Sequence, residues 1–245
     1  DIQNEELLYK LFGVNAELLI DHAWGWESCT IKDIKAYRPE NKSIGSGQVL
    51  QSPYTTDRAK IVVLEMADQL ALDLMSRGLV TDRIVLTVGY DRENLNDPKK
   101  INEYEGTVKI DHYGRLVPKH GHGTEPLGEY TSSGRIITNA AGRLFDKTAE
   151  NGLLIRRINL TAENIVPEGH KPKPAAEQID LFTDYSEREK AESEKDYERE
   201  KEKKLQKAIL DIKDKYGKNS ILKGISLEDG ATARDRNSQI GGHRA

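Results

Sequence analysis

A chain of 245 residues has room for one sizeable domain plus extensions. Charged residues make up 32% and hydrophobic ones only 36%, so part of the chain is expected to stay outside any core. No apolar run approaches the ~20 residues of a membrane span, the pattern of a signal peptide is missing, and the single cysteine, Cys29, excludes an intrachain disulfide. One cysteine also suits a reducing cytoplasm, which is the expected location. The net charge of −4 hides a segregation, because much of the acid lies after residue 186. The earlier part therefore keeps the option of a nucleic-acid partner. The sequence begins with Asp1 and enters helical sequence at once, as expected of a piece of something longer.

Residues 1–38 predict a small helical pair. Leu7, Leu8, Leu11 and Phe12 make an apolar stripe that Gly13 ends; Asn15 can cap a second helix and Gly25 can close it. Trp24 and Trp26 flank that glycine and are expected to pack rather than to stack on a ligand.

Residues 39–166 carry a mixed pattern. Residues 42–54 are strand-like, with glycines at 45 and 47. Thr55 or Thr56 caps a helix with Ala59, Val63, Met66, Leu70 and Leu74 at helical spacing, ended by Gly78. Residues 83–90 alternate, with Ile84, Leu86 and Val88 on one face and Arg83, Val85 and Thr87 on the other. A polar stretch follows, including a loop over 111–123, and a short strand is expected over 124–131. Ser132 or Ser133 caps a second helix, with Ile136, Ile137, Ala140, Leu144 and Phe145 facing inward. A last strand over 154–165 alternates Ile158, Leu160 and Ala162 against Arg157, Asn159 and Thr161.

Strand, helix, strand, strand, helix, strand is a split βαβ arrangement: an α+β fold with a four-stranded sheet and two helices on one face. The other face is left open. It should carry Arg83, Thr87, Arg157, Asn159 and Thr161, groups that suit phosphate contact better than base reading. Gly45 and Gly47, around Ser46, could let backbone approach a phosphate closely, since glycine lacks the Cβ barrier.

A linker follows over 167–185. It contains Lys171, Pro172, Lys173 and Pro174, then the peptide Gln178, Ile179, Asp180, Leu181 and Phe182. Two adjacent large apolar side chains in polar surroundings either plug a partner's pocket, gaining roughly 1.5–3 kcal/mol each, or fold back on their own domain. Residues 186–216 form a charged helix held mainly by i,i+4 ion pairs, with Leu205, Ala208, Ile209 and Ile212 as a narrow apolar stripe. Residues 217–245 are a polar tail with no clear period.

No active site is expected. Asp111, His112, His120 and His122 do not follow a zinc-site spacing and are expected as exposed loop residues. A phosphate-cradling loop and a nucleophile elbow are both missing. Asp91 has no second strand-borne carboxylate to join it on a metal pair and is expected to terminate a strand. Neither a cofactor nor a metal is expected in this chain.

Residues 7–29, reading LLYKLFGVNAELLIDHAWGWESC, resemble the end of the thumb of Y-family (UmuC/DinB-type) translesion DNA polymerases. Residues 42–48, KSIGSGQ, resemble the opening strand of that family's little finger, and residues 178–182 lie where the family carries its clamp-binding motif. The closing segment, from residues 218–224 (KNSILKG) through residues 241–243 (GGH), is similar to the tail of Gram-positive members described as DNA repair proteins. The resemblance implies a protein of DNA repair and translesion synthesis, in which Ser43, Gly45, Ser46, Gln48, Arg157 and Asn159 would touch DNA backbone. Gln178, Asp180, Leu181 and Phe182 would dock on the sliding clamp. It also implies a palm upstream, holding magnesium on its carboxylates; neither the palm nor those carboxylates lie in these residues. The competing readings are an adaptor whose palm has lost its metal ligands, and an unrelated split-βαβ module that binds RNA through aromatic residues on its open face.

Overall fold

The computed structural model describes residues 5–13, 15–27, 29–37, 42–111, 114–170, 185–240 and 243–244. They fall into two units, one through residue 41 and one from residue 42 onward.

The first unit holds α1 (Glu5–Phe12), α2 (Asn15–Ala23) and a third short helix not foreseen, α3 (Ile31–Ala36). Gly13 ends α1 at φ +56°, and Gly25, at φ +76°, turns the chain after α2. A capping box starts α3: Thr30 Oγ1 accepts from the Asp33 N–H while Asp33 Oδ2 accepts from the Thr30 N–H. Trp24 and Trp26 are 82% and 64% exposed, contrary to the packing expectation. Three short helices enclose too little volume to take up two indoles.

The second unit is built on β1 (Ser43–Tyr54), α4 (Thr56–Ser76), β2 (Leu79–Tyr90), β5 (Gly121–Thr131), α6 (Gly134–Thr148) and β6 (Ile155–Glu163). Between β2 and β5 stand a 3-10 turn (Arg92–Leu95), α5 (Pro98–Glu103) and the hairpin of β3 (Val108–Ile110) and β4 (Leu116–Pro118). The sheet runs β1-β6-β2-β5 with every neighbour antiparallel, and β7 (Val166–Pro167) adds to the start of β2. Both βαβ units are split: β6 lies between β1 and β2, and β2 lies between β5 and β6. The α+β, split-βαβ expectation therefore holds. Residues 116–118 and 121–123 correct the expected loop, because they are strand.

Period-2 alternation delivers Ile84, Leu86 and Val88 of β2 and Ile158, Leu160 and Ala162 of β6 to one face, all fully buried. Period 3.6 delivers Val62, Val63, Met66, Leu70 and Leu74 of α4 and Ile137, Leu144 and Phe145 of α6 to meet them. Each large side chain so buried stabilises the unit by roughly 1.5–3 kcal/mol. Ser133 starts α6 by accepting from the Ile136 N–H.

A third layer covers the helices: α7 (Tyr185–Tyr216) and the tail with α8 (Ala233–Asn237), followed by the strands β8 (Gln239–Ile240) and β9 (His243–Arg244). The inward side of α7 is mixed: of the expected apolar stripe Ile209 is half-buried, as is Leu210, while Ala208 and Ile212 are exposed and Leu205 is 62% exposed. Glu202 accepts from the Ser133 hydroxyl at 2.7 Å and the Arg135 N–H at 2.9 Å, so it sits as an anion at the α6 N-terminus. Gln206, buried one turn on, donates to the Ser132 carbonyl. The tail docks on α4, where buried Glu65 accepts from the backbone N–H groups of Thr232 and Ala233.

Candidate nucleic-acid interface

Helices cover one face of the sheet, and the strand register fixes what stands on the other. Across β1, β6, β2 and β5 the rows are Ser43, Glu163, Arg83 and Pro126; Gly45, Thr161, Val85 and Thr124; Gly47, Asn159, Thr87 and His122. The last is Val49, Arg157 and Gly89. Arg83, Thr87, Arg157, Asn159 and Thr161 thus share the open face, as the alternation predicts. No Phe, Tyr or Trp stands in these rows, so the aromatic platform that an RNA-stacking module requires is missing from them.

Ser43 and Gly45 lie on this face, but Ser46 and Gln48 are corrected to the other by the two-residue period. Gln48 is engaged there: its Oε1 accepts from Arg236 at 2.9 Å, and Thr232 Oγ1 lies 3.3 Å away.

The glycines shape the surface. A Cβ on Gly45 would stand 2.5 Å from Thr161 Oγ1, a Cβ on Gly47 would collide with Asn159 Oδ1, and one on Gly89 would lie 3.2 Å from the Arg157 Cβ. β6 thus carries Arg157, Asn159 and Thr161 as a polar ridge, flanked at backbone level by Gly45 and Gly47 on the β1 side and by Gly89 at the Arg157 end of β2, whereas Val49, Val85 and Thr87 keep side chains beside it. A phosphate can come down to backbone level beside such a ridge.

Charge is uneven along the face. Arg83 is held by its neighbour Asp82 through Nε–Oδ1 at 3.0 Å and Nη2–Oδ2 at 3.3 Å. Burial pushes the Asp82 carboxyl up, but hydrogen bonds from Arg83 and from Asn164, at 3.0 Å, outweigh it and hold the pKa below the usual range. With Glu163 in the same row, the Arg83 end offers no surplus positive charge. Arg157, at the opposite end, has no carboxylate partner among the described residues. It stands beside a β-bulge: the register slips between Gly89 and Tyr90, so Arg156 and Arg157 both leave the core while Ile155 and Ile158 enter it. Arg156 is fixed by the Gln51 carbonyl at 2.9 Å and by Asp91 at 3.7 Å. Sequence reasoning missed Arg156; the signal was the adjacent arginine pair, which breaks the alternation of the strand.

His122, expected in a loop, is on β5, with its Nδ1 2.9 Å from Thr87 Oγ1. Asp91 fills the expected turn role, accepting from the Glu93 N–H at 2.9 Å. Among the described residues no three His, Cys, Asp or Glu side chains come together to hold a metal ion. Among the described residues no donor group matches the clustered carboxylates with which a polymerase palm holds magnesium. His112 and the peptide residues Gln178, Asp180, Leu181 and Phe182 lie outside the described residues. No described helix is long and apolar enough to cross a membrane.

Against known proteins, the model of the impB/mucB/samB family C-terminal domain matches residues 41–181, more than half of the chain. The chain belongs to the impB/mucB/samB family. The resemblance to the C-terminal part of Y-family polymerases therefore stands. UvrX of Bacillus subtilis (strain 168), whose name carries a provisional assignment to UV-damage repair, is 26% identical over 242 residues, covering 98% of this chain. The chain spans 47% of the length of that relative. A solved complex of the beta-clamp processivity factor and the little finger domain of PolIV matches 58% of this chain and 99% of that chain, at 10% identity and a TM-score of 0.33. That likeness is too distant to locate a partner.

Proposed function

We propose that this impB/mucB/samB C-terminal region is the DNA-gripping and clamp-docking part of a bacterial Y-family polymerase that acts in DNA repair and translesion synthesis. The observation that carries the DNA assignment is the ridge of Arg157, Asn159 and Thr161, flanked at backbone level by Gly45 and Gly47 on β1 and by Gly89 at the Arg157 end of β2. Such a surface can meet sugar-phosphate backbone, and backbone contacts carry no sequence information, so a distorted duplex is held as well as a regular one. Residues 178–182 would tether the region to the sliding clamp, raising the local concentration of DNA ends so that weak backbone contacts suffice. Repair of UV damage, the assignment in the relative's name, is consistent with that role.

The test is equilibrium binding of the whole chain to a duplex, intact and carrying a bulky lesion. Arg157→Glu should weaken both complexes at least tenfold, with little difference between them. Equal affinity of the variant and the original chain would refute the assignment.

A further inference from the structure

Strands β2 and β5 are antiparallel neighbours, Val88 facing Gly121, and such a pair can be joined by a two-residue turn. Here residues 91–120 intervene, and the described segments 91–111 and 114–120 are fastened down. Asn94 donates to the carbonyls of Asp91 and Leu154, and its Oδ1 accepts from the Leu154 N–H at 2.8 Å. The Lys119 N–H closes the hairpin base on the Thr107 carbonyl at 2.7 Å. An insertion held this firmly at the end of a sheet adds a defined surface to it.

Between the inserted segment and the last row of the open face lies a cavity of about 620 Å³. Its floor is Val49, Gly89 and Arg157, the row that ends the ridge, and Arg92, Arg115 and Arg156 join from the sides. Three carboxylates also line it. Asp91 is committed to the Glu93 N–H and Arg156, Asp111 is bound to Arg115 at 2.6 Å, and Glu93 is exposed. Arg92 and Arg157 have no carboxylate partner among the described residues. The cationic surface continues past the cavity, with Lys109 on β3 and Lys119 and His120 after β4, all exposed. The His120 imidazole is pushed below its usual pKa, first by partial desolvation and then by the neighbouring charges of Lys109, His122 and Lys119.

We infer that the inserted segments 91–111 and 114–120 build a second backbone-binding track, in which Arg92, Lys109 and Lys119 hold the phosphates of one DNA strand as it leaves the Arg157 end of the sheet. The ligand chemistry is a phosphodiester chain, and the inference rests on the DNA assignment above. Gly89 keeps the floor low where the strand crosses from the ridge into the groove, and the guanidiniums of Arg92 and Arg157 have the fork geometry that phosphate accepts. The track makes the footprint longer than the four-stranded sheet alone can cover.

Two triple variants of the whole chain separate the claims: Arg92→Ala/Lys109→Ala/Lys119→Ala in the insertion, and Arg157→Ala/Asn159→Ala/Thr161→Ala on the sheet. Affinity for a duplex of about two helical turns is measured across a salt series, with thermal melts confirming the fold. The insertion triple should weaken binding about tenfold at low salt and make the log–log salt slope shallower by roughly 0.9 for each phosphate that is no longer neutralised. A sheet triple that weakens binding beside an insertion triple that does not overturns the second track and leaves the DNA assignment intact. An insertion triple that weakens binding beside a silent sheet triple overturns the continuous track. No binding by the original chain overturns both. As a second variant, Lys109→Glu/Lys119→Glu should lose more affinity than the alanine triple, and unchanged affinity there also counts against the track.

Discussion

Replacing Glu65 by alanine should release the tail and leave the sheet domain folded. Glu65 is buried in the middle of α4, where its Oε2 accepts from the Thr232 N–H at 2.8 Å and the Ala233 N–H at 3.1 Å. Those N–H groups open α8, whose N-cap Thr232 supplies no capping bond from its own side chain. The carboxylate on α4 is therefore the cap of a helix far away in sequence. A hydrogen bond to a charged group contributes about 1.5–3 kcal/mol, so two amount to about 3–6 kcal/mol. Part of this is offset, because Glu65 Oε1 has no partner and alanine relieves the desolvation of a buried charge. A net loss of about 2–4 kcal/mol in tail docking remains, equivalent to amide exchange about 30- to 1000-fold faster. Hydrogen exchange read by mass spectrometry should show that acceleration over residues 218–239, with β2 and β6 amides nearly unchanged. Glu65→Gln, which keeps an acceptor, should show a smaller effect. Unaltered tail exchange in Glu65→Ala would refute the reasoning, as would equal loss of protection in the core strands.

Three further predictions rest on particular side chains. The Glu125 carboxyl is held below its usual pKa by hydrogen bonds from Lys147, at 2.9 Å, and Arg143, at 3.2 Å, against an opposing burial effect. A depressed carboxylate contributes stability above its unfolded pKa, near 4.3, and loses it as pH falls through the lower folded value. Glu125→Gln should thus melt lower than the original chain at pH 7 and converge with it in acid; a gap that persists below about pH 3 contradicts this. Gly121→Ala should cost about 1–3 kcal/mol in a denaturant titration, because the new Cβ would meet the Thr148 backbone carbonyl of α6, which cannot swing aside as a flexible side chain can. An unchanged midpoint would show that β5 shifts freely. Leu181→Ala/Phe182→Ala should abolish capture of the chain by an immobilised bacterial sliding clamp while sparing duplex affinity, and undiminished capture would remove the clamp assignment.

The sheet and its two covering helices were legible because their burial is periodic. Ile84, Leu86 and Val88 alternate, Met66, Leu70 and Leu74 recur at helical spacing, and Ser133 and Gly78 punctuate them. The side of Arg157, Asn159 and Thr161 followed from the same alternation. What hydrophobic periodicity missed was built from polar side chains. The polar contacts of α7 come from Glu202 and Gln206, and the tail is fastened through Glu65, Thr232 and Arg236. No apolar period announces such interactions. The hairpin of β3 and β4 was missed because three-residue strands are too short to show an alternation. Gln48 was misplaced because a resemblance names positions in a strand, whereas the pleat decides which of them face out.

The most direct measurement of the central claim is the salt dependence of duplex binding by the whole chain, made on two duplexes of unrelated sequence. Backbone contact through the open face predicts a steep linear fall of log affinity with log salt, the same for both duplexes, and shallower by roughly 0.9 in Arg157→Ala. A flat response, or a slope that Arg157→Ala leaves unchanged, would contradict the account.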